Sequence, residues 1–391
     1  MSTRLKVIIW GLMVVGFIFG YAGLVIPGQT AILETPEPGT VQFQRLHIFL
    51  FNLVSGGTLL LLFTEESRRL TRRATLYIVA ALAFSLAAFL NAYLPAVILA
   101  LFLAVLVESL RIKRFSFWPG DFFDYSVPVA RKFHHAALLC LSLGLLICAG
   151  VMLDNQVLHL FHIPLLLLDD FFLGFSFPLS LITFSMMFAM TKQEVSPGVH
   201  LAREASFWIV TVGVIIFFGF IIFEIALGEL IMSLLLLGDV IIIYILFRAE
   251  RKRSGEAEDF LTSGMAFLVL TGITGLLLVL WGILTPTDQK GYDLLLQTHA
   301  YLSLYGWNLA GLSVLVHYTE FPLRLHELEI ILLHWVTVAL LAPLGSMYPI
   351  FAIAAVPAFM LLIGLIMFSQ PLIATQPMTE LAPVEEGGGT G

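Results

Sequence analysis

The residues Arg45-Leu46-His47 open an apolar run that carries Asn52, Ser55, Gly56 and Gly57 farther along. An imidazole donates and accepts hydrogen bonds and is the commonest metal ligand among side chains. Inside an apolar run it must be hydrogen-bonded or ligated, because a bare polar group in lipid is costly. A second histidine, His299, begins HAYLSLYGWNLAG, and small residues again follow two to three turns later. Paired imidazoles at matching depth are a donor set that haem iron takes axially. For either histidine alone, an interhelical hydrogen bond is the competing role. Gly56 and Gly57 lack side chains, so a flat macrocycle or a neighbouring helix can come close there.

On a helix, Phe51, Val54 and Thr58 share the face of His47. His299 and Tyr301 point about 200° apart. Tyr301, Tyr305 and Asn308 therefore form a polar stripe of their own, suited to an interhelical hydrogen-bond seam or to a proton path. His159 and His162 lie three residues apart, acceptable metal-ligand geometry if helical, and Pro164 follows. Asp169 and Asp170 are adjacent carboxylates entering an apolar helix, which fits a proton or metal site or a membrane boundary. Asp239, in LLLLGDVIIIY, and Glu224 are isolated acids without an obvious basic partner, and such acids are candidates for proton or transport chemistry. His134, His135, His334 and Trp335 read as interfacial. No P-loop, CxxC pair, c-type haem attachment or Ser/His/Asp arrangement occurs.

These residues sit in a chain of 391 residues that is 59% hydrophobic and 12% charged. With a mean hydropathy of +0.97, its solvent is the bilayer. The net charge of -7 derives partly from the tail and does not suggest nucleic acid. Cys140 and Cys148 lie about 12 Å apart along one helix and cannot bridge.

A bilayer core needs about 20 apolar residues per helix. Twelve runs meet that need, at 5–27, 44–64, 72–91, 93–111, 133–153, 164–191, 205–227, 230–248, 260–285, 293–318, 327–344 and 346–369. The first is expected to be a retained helix rather than a cleaved signal peptide. The spacing predicts an all-α membrane domain over 1–372 and a disordered cytoplasmic tail over 373–391, rich in Pro, Gly and Glu. With both termini in the cytoplasm, Arg45 and Lys290 are the outward-facing residues among the 20 Lys and Arg. Runs 2, 6 and 10 then descend from the outer face, each with a histidine at or near its outer end. That register predicts a threefold pseudo-repeat of four-helix units.

Twelve helices with histidines on helices 2 and 10 resemble subunit I of the haem-copper oxidase superfamily, which includes nitric oxide reductases and NnrS-like proteins. Arg45, His47, Gly56 and Gly57 are similar to helix 2 of the C-type oxidases, whose histidine ligates the low-spin b haem. The stretch His299 to Trp307 is similar to that family's helix 10, where two histidines bind the high-spin and the low-spin haem. Tyr301 stands in place of the second of these. Asp170 stands where a copper histidine is expected, and Phe220 to Ile222 hold no histidine pair. The arginine pair that holds haem propionates is absent, and Arg45 can partly substitute for it.

The resemblance implies a b-type haem near the outer face on His47 and His299, and no copper centre for oxygen reduction. It implies electron transfer within a respiratory or nitrogen-oxide-related complex of a prokaryotic inner membrane. Cytochrome c-like or iron-sulfur subunits would be its partners. A haem-free structural or proton-conducting subunit of the same fold is the alternative, and a transporter using Asp239 or Asp169 and Asp170 is a third.

Overall fold

In hydrocarbon, backbone N–H and C=O groups find no water, so a spanning chain closes its hydrogen bonds within helices. The structure, a computed structural model, describes residues 1–21, 43–160, 174–192, 194–250, 256–285, 289–317 and 328–369. Among them every element is helical and no strand forms. In chain order the helices are α1 (Thr3–Phe19), α2 (Arg45–Thr64), α3 (Arg72–Phe89), α4 (Tyr93–Arg114), α5 (Val129–Leu158) and α6 (Phe177–Ala189). There follow α7 (Pro197–Ile222), α8 (Ala226–Glu250), α9 (Ala257–Leu284), α10 (289–316), α11 (Leu328–Met347) and α12 (Pro349–Phe368).

Among the described residues, nine of these helices are long and apolar enough to cross a bilayer: α2 to α5, α7 to α9, α11 and α12. The chain is a multi-pass membrane protein. Within these residues α1 has 17 and α6 has 13, and α10 opens on the polar sequence QKGYD. His162, Pro164, Asp169, Asp170 and the tail from 373 lie outside the described residues.

Local sequence explains several helix ends. Thr71 caps α3 by accepting from the Ala74 amide at 3.0 Å. Ser196 does the same for α7, where Pro197 takes the first helical position. Hydroxyls inside the bundle turn back onto carbonyls four residues earlier, as Thr64 does to Leu60 and Thr183 to Leu179. That bond satisfies a polar group without a second helix.

Four stretches widen from α to π geometry: Phe49–Gly56 in α2, Asp154–Leu158 ending α5, Leu302–Asn308 in α10 and Val336–Leu341 in α11. A π turn shifts the backbone ladder by one residue and occurs often at functional sites. Here the wide turns begin two residues after His47, three after His299 and two after His334. The likeness of helices 2 and 10, visible in sequence as a histidine above small residues, thus recurs in their backbone geometry.

The most enclosed span is α2, with 83% of its apolar window buried, whereas α9 has 17%. Around α2 the core stacks Phe17 of α1 on Phe359 of α12, with centroids 4.0 Å apart and planes 9° from parallel. Phe51 of α2 and Tyr305 of α10 meet edge-on at 4.8 Å.

Candidate functional site

His47 stands where α1, α2 and α10 meet. Its Nδ1 lies 3.1 Å from the carbonyl oxygen of Gly16 and 2.9 Å from the Tyr305 hydroxyl. A carbonyl can only accept, so the Gly16 bond puts the ring proton on Nδ1 and leaves Nε2 with its lone pair. The Tyr305 hydroxyl lies 3.5 Å from that Nε2. Close approach of α1 depends on glycine: a Cβ on Gly20 would sit 2.8 Å from Nδ1 of His47.

The aromatic neighbours form one wall. Tyr305 stacks on Tyr301 with centroids 6.0 Å apart, and Tyr301 stacks on Tyr21 at 6.1 Å. The Tyr301 ring stands 6.5 Å from the His47 ring, nearly perpendicular. Tyr301 therefore lies beside the helix-2 histidine. Asn308, the third member of the predicted stripe, goes elsewhere: it accepts from Ser180 at 2.8 Å and donates to the Ser176 carbonyl. That part of the stripe is an interhelical seam.

His299 follows the same rule against a different helix. Its Nδ1 lies 3.0 Å from the Thr271 carbonyl and 3.2 Å from the Thr274 hydroxyl, both on α9. The Thr274 hydroxyl spends its proton on the Leu270 carbonyl, so it too accepts from Nδ1. Gly275 makes room for this ring, its ideal Cβ falling 3.2 Å from Cε1 of His299. The two imidazoles share a tautomer, but no hydrogen bond or ring contact joins them. His47 turns to α1 and Tyr305, and His299 turns to α9.

The other predicted haem-binding residues have protein partners. Arg45 donates to the Ala88 carbonyl at 3.2 Å and to Asn91 Oδ1 at 2.7 Å. Its charge thereby meets the negative end of α3. Leu179 covers Gly56, and Tyr77 covers Gly57, donating its hydroxyl to the Leu53 carbonyl at 3.0 Å. Of the two roles read for these glycines, the structure shows helix packing.

Three histidines read as interfacial have protein partners. His334 is fully buried and donates Nε2–H to the Tyr305 carbonyl at 2.7 Å, between the rings of Phe260 and Phe267. Its Nδ1 has no hydrogen-bond partner among the described residues. His135 is fully buried between Asp121, 2.8 Å from Nδ1, and Arg111, which also pairs with Glu108. His134 meets the Thr64 hydroxyl at 2.8 Å. Asp121, Phe115 and Phe122 surround His135, whereas α9 and α10 enclose His334. Lys132, wholly enclosed, pairs with Glu204 at 2.7 Å. That pair was legible only as two charges near the starts of apolar runs.

Of the remaining candidates, His159 is exposed and has a left-handed backbone (φ 49°) just past the wide turn that ends α5, off any helical face. Glu224 is exposed in the turn between α7 and α8, also left-handed (φ 54°). Asp239 is buried, and Ser206 of α7 donates to its Oδ1 at 2.7 Å. Among the described residues no group of three or more His, Cys, Asp or Glu side chains is placed to hold a metal ion. Comparison with family models and with curated proteins finds no match.

Proposed function

We propose that the chain is a twelve-span redox subunit of the haem-copper oxidase type that holds a b-type haem on His47 and His299 and lacks the copper centre. One observation carries the reading. In both histidines, Nδ1 lies within hydrogen-bond distance of a backbone carbonyl, which can only accept, and the tautomer that makes this bond carries its lone pair on Nε2. Proteins orient ligating imidazoles by that kind of second bond. A bound haem would supply a one-electron carrier.

The chain's own part is orientation. Gly16 and Tyr305 hold the His47 ring, and Thr271 and Thr274 hold His299. The rings have separate neighbours, and each set of neighbours would orient one imidazole toward a bound haem. The basic residues clustered at alternate ends of the runs support cytoplasmic termini and a prokaryotic inner membrane. They leave the histidine ends toward an outer cytochrome c-like or iron-sulfur donor.

A second reading, a haem-free structural or proton-conducting subunit of the same fold, is favoured by the engagement of Arg45, Gly56 and Gly57 with protein partners. A reduced-minus-oxidised difference spectrum with an iron assay separates the two. The haem reading expects a Soret band and iron in the purified protein, diminished in His47→Ala and His299→Ala. A colourless, iron-free protein would leave the second reading.

A further inference from the structure

Two carboxylates are buried on or against α7, and they are treated differently. Glu204 has its cation, the Lys132 ammonium at 2.7 Å. Asp239, on α8, has none among the described residues. It is 3% exposed, its Oδ1 takes the Ser206 hydroxyl at 2.7 Å, and its Oδ2 has no hydrogen-bond partner among the described residues. Farther along the same α7–α8 seam Gly213 faces Met232 and Leu236, and the hydroxyl residues Thr211 of α7 and Ser233 of α8 are buried. On the face of Asp239 itself, one turn away, stands the fully buried Ile243.

The charged groups nearby do not compensate it. Arg203, one turn before Ser206, directs Nη1 to the Lys192 carbonyl at 3.0 Å and forms no ion pair with Asp239. Glu204 points to α5. On α8 the nearest titratable residue is Tyr244, with Glu229 and Arg248 toward the ends, and α9 holds no titratable side chain from 260 to 284. A bare carboxylate in such surroundings is strongly disfavoured. An alkali cation needs several oxygen ligands, and the contacts here are one hydroxyl and one carboxyl.

We propose that Asp239 is a proton-binding carboxyl enclosed between α7 and α8, carrying its proton on Oδ2 while Ser206 holds Oδ1. Binding forms the Oδ2–H bond and release returns the proton to water. No electron is exchanged, so the site stands apart from the haem reading. The ligand is the proton, and sodium is the competing occupant.

The test uses the full chain in lipid nanodiscs and dicyclohexylcarbodiimide, an apolar reagent that adds to protonated carboxyls. The expected result is an adduct mapped to Asp239 at neutral pH, unchanged when sodium replaces choline and lost in Asp239→Asn. The infrared carbonyl band of a protonated acid, shifted in heavy water, should vanish in the same variant. If Asp239→Asn fails to fold, mapping the adduct on the unmodified protein and on Ser206→Ala decides the matter, and both should carry it. Absence of an adduct at Asp239, or its suppression by sodium alone, would overturn the proposal.

Discussion

The Tyr305 hydroxyl lies 2.9 Å from His47 Nδ1 across 258 residues of sequence, while the backbone carbonyl of the same tyrosine takes the Nε2–H of His334. One residue of α10 therefore holds histidines of α2 and α11. The π turn around Tyr305 widens the ladder where its carbonyl takes this interhelical bond.

Tyr305→Phe should remove the bond to His47 and keep the ring, which packs against Phe17, Phe51 and Phe359. The expected loss is about 1 kcal/mol, a typical net hydrogen-bond contribution. Tyr305→Ala should lose about 3–5 kcal/mol, as large aromatic truncations do. Unfolding of both variants in one detergent measures the difference. Equal losses would show that the hydroxyl, not the ring, dominates.

At Gly20 a methyl group meets His47 directly, 2.8 Å from Nδ1. Gly20→Ala should destabilise by about 1–3 kcal/mol, the usual penalty for overpacking. It should also weaken any Soret band that depends on His47. Gly11, inside α1, has nothing within 4 Å of its ideal Cβ, so Gly11→Ala should be neutral or mildly stabilising. Similar melting shifts for the two variants would contradict the packing seen here.

The Lys132–Glu204 pair is fully enclosed. Removing one partner of a buried pair leaves a bare charge, so Glu204→Gln should cost about 3–5 kcal/mol. The apolar double variant Lys132→Met with Glu204→Leu should recover most of that loss. A double-mutant cycle by thermal unfolding tests this, and additive losses would count against a buried pair.

Arg45 ties the start of α2 to the end of α3 through Ala88 and Asn91. Arg45→Ala should cost about 1.5–3 kcal/mol, the range for hydrogen bonds made by a charged group. Arg45→Lys should restore little, since an ammonium lacks the planar fork. If the purified protein binds haem, midpoint potentials of the same variants report whether this guanidinium also senses the cofactor. An unchanged potential would confine Arg45 to its helix-end role.

Membrane residence and helical class follow from composition alone, because hydrocarbon admits few ways to satisfy a backbone and the apolar runs have the length to cross it. The placement of His47 and His299 in helices, with small residues beyond them, was equally legible, since it depends on position along the chain. So was a buried Asp239. Periodicity says which residues share a face, but not which neighbour that face will meet. Packing order decided that His47 would turn to Gly16 and Tyr305 and His299 to α9, and that Tyr77 and Leu179 would cover Gly56 and Gly57. It also enclosed His334, His135 and Lys132 within the bundle, which position along a run does not decide. The partner of each polar group comes from a helix far away in the chain, and only the tertiary arrangement brings it within hydrogen-bond reach.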